Sequence, residues 1–282
     1  MRSLPERRHS TASVRGLAVP CANDLDADRR TVRGVDDVGS LAWGRATGGV
    51  LTRAQRQRLR MAVLRDARVY ARSMALLALR RGTRSAKADL TVMDMPDTDL
   101  CRGVEAAVVG AESPQMLGHS YRTVAYAHAL AAVDGLSVDL ELLWCACLLH
   151  DIGIERTVPG RCFAVRGGEE TVRIAQSAGA DHATAELLGD AVSRHATADL
   201  DPDAHPLPYL VAAGALVDVL GKRLDEMDRD FVRAVNQARP RDDFASVLSG
   251  VWRAETRAVP KGRAAVAQHT AAFSVAARFA PL

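Results

Sequence analysis

The sequence predicts an all-α protein, and two observations support this fold class. From about residue 98 onward, apolar residues recur with the helical period and are interrupted by breaker clusters such as Asp201-Pro202-Asp203. No sustained stretch alternates apolar and polar residues with an enrichment in β-branched types, which a strand would need. The chain has 282 residues, so it can bury a sizeable core.

The chain is predicted to consist of a tail and one folded domain. Residues 1–45 mix Arg, Asp, Ser and Gly without a helical or strand period. Ordering them would bury little apolar surface, so a flexible tail is expected. Residues 46–282 are predicted to form the all-α domain, with its motif-bearing core at about residues 100–225.

The first predicted helix covers residues 53–81. Thr52 and Gln55 have the spacing of a capping box, and apolar residues follow at intervals of three and four. Between Arg53 and Arg81 there are nine arginines and one acid, Asp66. We interpret this basic side as the solvated face of an amphipathic helix rather than as a site.

The remaining predicted helices follow one another with short connections. They cover residues 98–109, 117–133, 139–151, 168–178, 181–197, 207–220, 229–237, 242–256 and 263–279. The pattern is a helical bundle with an additional N-terminal helix and additional C-terminal helices.

Charge and cysteine content narrow the classes of function. The chain has 37 Lys plus Arg and 34 Asp plus Glu, a net charge of +3, which argues against a dedicated nucleic-acid or anionic-membrane partner. The five cysteines include Cys145 and Cys147 inside an apolar run, so buried thiols are expected rather than a disulfide scaffold. Without a signal peptide or an apolar span, a cytoplasmic protein is predicted; homo-oligomer formation stays open.

The most informative segment is residues 142–153. Eight apolar residues, Leu142 to Leu149, predict a buried helix, and His150, Asp151, Ile152 and Gly153 follow. An ionised carboxylate at such a place costs several kcal/mol unless a positive charge pairs with it. A bound metal ion would supply that charge.

Three other positions strengthen this interpretation. His119 opens a predicted helix, Asp218 lies inside the apolar run 216–220, and His195 ends a helical stretch. Imidazole and carboxylate are ligands that suit zinc, iron or manganese.

The order of these residues resembles the ligand pattern of the HD-domain superfamily of metal-dependent hydrolases. Over roughly residues 100–225 the sequence motifs most resemble those of the cyanamide hydratase-like branch. These motifs are His-Ser-x-Arg from His119, Leu-Leu-His-Asp-Ile-Gly around His150, the stretch 162–169, and Ala-Val-x-x-His ending at His195. Known members of that branch hydrate the nitrile of cyanamide to urea at a zinc centre.

The resemblance implies a ligand set and a cofactor. His119, His150, Asp151 and Asp218 would bind one divalent transition metal, with Zn²⁺ expected and Fe²⁺ or Mn²⁺ as alternatives. Superfamily members with two metals usually supply extra histidines after the His-Asp pair. No histidine lies between His150 and His182, so a single metal is favoured.

The resemblance also implies an enzyme, a hydrolase or hydro-lyase acting on a small molecule. A divalent metal activates water, which would attack a nitrile or a similar electrophilic carbon. Asp151 and His195 are the predicted catalytic groups that move protons. Phe163 and Arg122 are predicted to contact the substrate.

Two other functions compete with this one. A nucleotide phosphohydrolase of the same superfamily would need cations in the pocket, for which Arg122, Arg166 and Arg194 are the candidates near the motifs. A non-catalytic HD module that senses a ligand is the second alternative. Intact candidate ligands argue against it, because a binding role gives no reason to keep a buried carboxylate set.

Overall fold

A computed structural model describes residues 37–79, 81–82, 85–271 and 273–278 of the chain. The predicted all-α class is confirmed: this part of the chain forms twelve α-helices and one short 3₁₀ helix, Leu90–Met93, and contains no strand. In chain order the α-helices are α1 (Leu41–Thr47), α2 (Arg53–Ala78), α3 (Asp99–Ala111), α4 (Pro114–Asp134), α5 (Leu140–Leu149), α6 (Phe163–Ser177), α7 (His182–His195), α8 (Pro206–Leu220), α9 (Arg229–Ala238), α10 (Phe244–Ala258), α11 (Arg263–Ala271) and α12 (Phe273–Arg278).

The centre of the bundle is α5, which is enclosed by α3, α4, α7 and α8. Every residue from Leu143 to Leu149 is buried, as expected for a helix that is apolar on all sides. Cys145 and Cys147 are among them as free thiols, which confirms the expectation of buried cysteines. The polar residues that follow α5 therefore start from the middle of the core.

Two helix pairs hold the bundle together, α4 with α8 and α6 with α7. A Cβ atom added to Gly214 of α8 would lie 2.6 Å from the Thr123 carbonyl oxygen of α4. A Cβ atom on Gly168 of α6 would lie 2.6 Å from the Gly189 carbonyl oxygen of α7. Glycine at these positions lets the helix backbones approach closely.

The beginning of α6 differs from the prediction. The predicted helix begins at residue 168, whereas the observed helix begins at Phe163 and has Gly167 and Gly168 inside it. Tertiary contact with α7 explains them, since the close helix approach outweighs their low helix propensity.

The predicted tail boundary is also corrected. Residues 41–45 belong to α1, whose Leu41 and Trp43 are 2% and 0% exposed. The Leu41 amide donates to Asp190 Oδ1 of α7 at 2.8 Å. Too few apolar residues are present here for a local pattern to show, but packing against α7 orders them. Residues 1–36 of the predicted tail lie outside the described residues.

A chain beginning at residue 46 is expected to be less stable than one beginning at residue 37. It loses α1, and emptying the Trp43 site alone should cost about 3–5 kcal/mol of unfolding free energy. Urea unfolding of the two truncated chains measures the difference. Equal midpoints would show that α1 contributes nothing and that the boundary near residue 45 was right.

Helix α2 has the predicted capping box, and few of its residues are buried. Thr52 Oγ1 accepts from the Gln55 amide, and Gln55 Oε1 accepts from the Thr52 amide. Only Leu59, Ala62 and Ser73 of its 26 residues are buried, and its main helix contact is with α11. The helix ends at Ala78 rather than at residue 81.

Within the described ranges, no helix combines the length and the apolar character that crossing a membrane requires.

Candidate metal centre

Three of the predicted ligands meet where α5 ends against α4. His119 lies in the second turn of α4, His150 caps α5, and Asp151 follows it. His119 Nε2 lies 3.1 Å from His150 Nε2, and Asp151 Oδ2 lies 3.4 Å from His150 Nε2 and 3.7 Å from His119 Nε2. In the part of the chain that the structure describes, no other group of three such residues gathers as closely.

Hydrogen bonds orient both imidazoles. His150 Nδ1 lies 2.7 Å from the Cys147 carbonyl oxygen, which can only accept, so this nitrogen donates. His119 Nδ1 lies 2.7 Å from Asp218 Oδ2 and donates to that carboxylate. Burial lowers the pKa of His150 to about 3, so its ring is neutral near pH 7. With both rings neutral and the proton of each on Nδ1, each ring turns an Nε2 lone pair toward the other.

This arrangement fits a divalent metal. Two lone pairs facing each other at 3.1 Å repel unless a cation lies between them. Two imidazole nitrogens bound to one tetrahedral zinc at about 2.0–2.1 Å lie about 3.3 Å apart. Two neutral imidazoles and one carboxylate also form a ligand set that iron or manganese accepts.

Asp218, predicted as a fourth ligand, lies behind His119. Its Oδ2 accepts from His119 Nδ1, and Arg122 donates to both of its oxygens at 2.8 and 2.9 Å. Arg241 donates to Oδ1 as well. Burial alone would raise the pKa of Asp218, but the His119 hydrogen bond and the two guanidinium groups hold it below its ordinary value. In this geometry Asp218 orients a ligand, as the carboxylate of a carboxylate–histidine–metal triad does.

Arg122, predicted to contact substrate, is fully buried and does not line the cavity at the centre. Besides Asp218, it donates to the carbonyl oxygens of Arg239 and Pro240 at 3.1 and 3.0 Å. The structure therefore places Arg122 behind the centre, and its contact with a substrate stays a prediction. The sequence placed Arg122 one helical turn after His119 but could not show which acid it would pair with.

Removal of Arg122 is expected to destabilise the fold. The Arg122→Ala variant should lose about 3 kcal/mol of unfolding free energy, because the buried Asp218 carboxylate loses one of the two guanidinium groups that balance its charge. Arg173→Ala, which breaks an exposed ion pair with Glu170, is the control and should cost less than about 1 kcal/mol. Equal losses in thermal or urea unfolding would contradict a structural role for Arg122.

His195 and Phe163 lie close to the three candidate ligands. His195 Nδ1 lies 2.6 Å from the Val192 carbonyl oxygen, so Nε2 is the free nitrogen; it lies 3.6 Å from Asp151 Oδ1. The Phe163 ring stands 5.8 Å from the His195 ring, centre to centre. The proton-transfer role of His195 and Asp151 stays a prediction.

Sequence reasoning missed two residues that shape this centre. The Phe244 ring stacks on His119 at 4.8 Å with 22° between the planes, and Arg241 donates to both the carbonyl and the carboxylate of Asp218. Both lie more than 20 residues beyond the last motif. No spacing rule connects them to it, because the connection between α9 and α10 brings them there.

Comparison with known families agrees with this geometry. Residues 116–208 match the HD domain. The matched segment, called the HD-domain segment below, covers about a third of the chain and contains His119, His150, Asp151 and His195 but ends before Asp218. Comparison with curated proteins gave no match. HD domains are typically metal-dependent hydrolases, and the buried cluster in this segment indicates a divalent metal.

The HD-domain segment opens onto a cavity of about 510 Å³. His119, His150, Asp151 and His195 form part of its lining together with Phe163. Much of the remaining wall comes from α2, α8, α10, α11 and α12, outside or at the edge of the HD-domain segment. The walls are mostly apolar, as in many small-molecule sites.

Proposed function

We propose that the chain is a metal-dependent hydrolase or hydratase with a single metal, acting on an electrophilic carbon of a small uncharged molecule. The observation that carries the proposal is the pair of anchored imidazoles, His119 and His150, whose Nε2 atoms face each other at 3.1 Å beside Asp151. A divalent metal held there would lower the pKa of water and stabilise the negative charge that develops during attack. The resemblance to cyanamide hydratases makes a nitrile the first substrate class to test.

The two oxygens of Asp151 suit two tasks. Oδ2 faces the two imidazole Nε2 atoms and would hold the metal. Oδ1 faces His195 Nε2 at 3.6 Å and would stabilise the imidazolium that forms when this nitrogen takes a proton. His195, at the cavity wall, is the group placed to accept a proton from the attacking water.

In nitrile hydration the proton balance is simple. Oxygen of water adds to the nitrile carbon, and His195 Nε2 takes the proton that water gives up. The same nitrogen then returns a proton to the nitrile nitrogen, and the product rearranges to the amide. His195 therefore ends each cycle in its starting protonation state.

The phosphohydrolase alternative finds less support. Its three candidate cations are all engaged away from the cavity: Arg122 with Asp218, Arg166 with the carbonyl oxygens of Arg161 and Gly153, and Arg194 with Asp37 and Asp190. A phosphate group at the centre would find none of them within the described cavity wall.

Assays of the metal-loaded protein test this proposal. Protein loaded with Zn²⁺, Fe²⁺ or Mn²⁺ is incubated with cyanamide, larger nitriles, amides and a panel of nucleotides. We expect metal-dependent hydration or hydrolysis of at least one carbon-centred substrate, absent in His150→Ala. Phosphate release from nucleotides alone would overturn the proposal in favour of a phosphohydrolase. Ligand binding with no turnover of any class would indicate a sensing module.

A further inference from the structure

The cavity is much larger than cyanamide requires. A water-sized group occupies roughly 30 Å³, so a molecule of three heavy atoms would fill only a small part of a space of about 510 Å³. Cavities of this size usually enclose ligands with many more atoms. The space beyond the metal centre is therefore available to a further part of the substrate.

Apolar side chains from separate helices line that space. Leu59 and Val63 of α2 contribute to the wall, as does Leu216 of α8. An aromatic row continues from Phe163 through Trp252 to Phe273, with ring centres 6.2 and 4.1 Å apart. Burying an apolar group against such walls is favourable by about 25 cal/mol per Å².

Most charged side chains on the wall are paired with a residue of opposite charge. Lys222 Nζ lies 3.0 Å from Asp66, and Asp199 is paired with Arg65. Arg223 is bound by Asp134 and Glu226 at 2.7 and 2.6 Å.

Arg263 is 2% exposed and has no carboxylate partner within 4 Å among the described residues. It donates to the Ser193 carbonyl oxygen at 2.6 Å and to the Thr197 hydroxyl at 2.8 Å, and its buried Nε has no hydrogen-bond partner there. Lys222 and Arg223, the other cations on the described wall, are held by carboxylates. An anionic substrate body would therefore lose its hydration without reaching an exposed, unpaired cation.

One polar group on the wall is available. The Tyr70 hydroxyl of α2 has no hydrogen-bond partner among the described residues, whereas the Tyr209 hydroxyl donates to Asp134 Oδ2 at 3.0 Å. Burial raises the pKa of Tyr70, so its phenol stays protonated and can donate.

We propose that the substrate is an uncharged molecule with an extended apolar body. Its reacting carbon lies at His119, His150 and Asp151, and its body lies in the cavity beneath α2. Tyr70 donates to a neutral oxygen or nitrogen on that body. The position of the reacting carbon rests on the proposed function; the character of the body rests on the cavity alone.

Binding of a neutral fluorescent probe, N-phenyl-1-naphthylamine, to the full chain tests this proposal. Ala212 of α8 lines the cavity, and Ala212→Phe should weaken probe binding at least about tenfold by filling the space. Ala75→Phe, on the exposed side of α2, is the matched control and should bind as the wild type does. If Ala212→Phe fails to fold, Val63→Trp fills the cavity from α2.

Displacement of the probe distinguishes neutral from charged ligands. Hexanenitrile and hexanamide should displace it at least about tenfold better than hexanoate or hexyl phosphate, which have similar chain lengths. Equal displacement by the charged compounds, or binding unaffected by both cavity-filling variants, would overturn the proposal.

Tyr70→Phe tests the polar contact. The variant should bind hexanamide about fivefold more weakly, the size expected for one lost hydrogen bond, and should bind the probe unchanged. Unchanged hexanamide binding would remove Tyr70 from the proposal.

Wild-type protein stripped of metal with a chelator separates this inference from the proposed function. It should keep probe binding and lose turnover. Normal probe binding by a wild-type protein that turns over no carbon-centred substrate would refute the proposed function alone. Turnover of cyanamide without probe binding would refute the apolar body alone.

Discussion

The His150→Ala variant is expected to lose its metal and its turnover together, whereas the wild-type protein should carry about one transition metal per chain. The substitution removes one of the two Nε2 donors that lie 3.1 Å apart and leaves His119 with a single carboxylate. Two protein ligands are too few to hold a divalent metal firmly in a site of this kind. Elemental analysis of protein purified without added chelator measures the occupancy.

Two comparison variants make this test specific. His128→Ala removes a half-buried histidine of the same helix as His119, outside the cluster, and should keep the metal. Asp218→Asn should weaken metal affinity only about 10- to 100-fold, because Asp218 orients His119. Full occupancy in His150→Ala would refute the centre. Complete metal loss in Asp218→Asn would restore Asp218 as a direct ligand.

The His195→Asn variant is expected to turn over about 10²- to 10⁴-fold more slowly with its metal content unchanged. Its imidazole Nε2 lies at the cavity wall, 3.6 Å from Asp151 Oδ1, and its Nδ1 is held by the Val192 carbonyl oxygen. Asparagine keeps a polar group near this place but cannot accept and return a proton near neutral pH. Turnover and elemental analysis of the same preparation measure both effects.

A histidine at the other end of α7 provides the control. His182 is exposed at the first position of that helix, and His182→Asn should change neither turnover nor metal content. Loss of metal in His195→Asn would make His195 a ligand, and unchanged turnover would make it structural. Either result would contradict the role proposed for it.

Features that depend on local pattern could be predicted from the amino-acid sequence. An unbroken apolar run needs burial on every side, so α5 could be predicted as the central helix and the residues after it as an enclosed site. The capping box at Thr52 and Gln55 depends on residues three positions apart, and it formed as predicted. The superfamily resemblance rested on His119, His150, Asp151 and Asp218, and the HD-domain segment contains the first three.

The partners of these residues could not be predicted, because they come from distant parts of the chain. In the sequence, Asp218 is an acid in an apolar run. Whether it binds a metal or orients His119 depends on Arg122 and Arg241, which hold its carboxylate. Arg122 comes from α4, and Arg241 comes from the connection before α10. The same reason explains α1, since Leu41 and Trp43 gain their burial from the folded bundle rather than from their own helix. The cavity wall likewise combines α2 with helices more than 100 residues away. Such contacts arise when distant surfaces meet, and the spacing of residues along the chain carries no record of them.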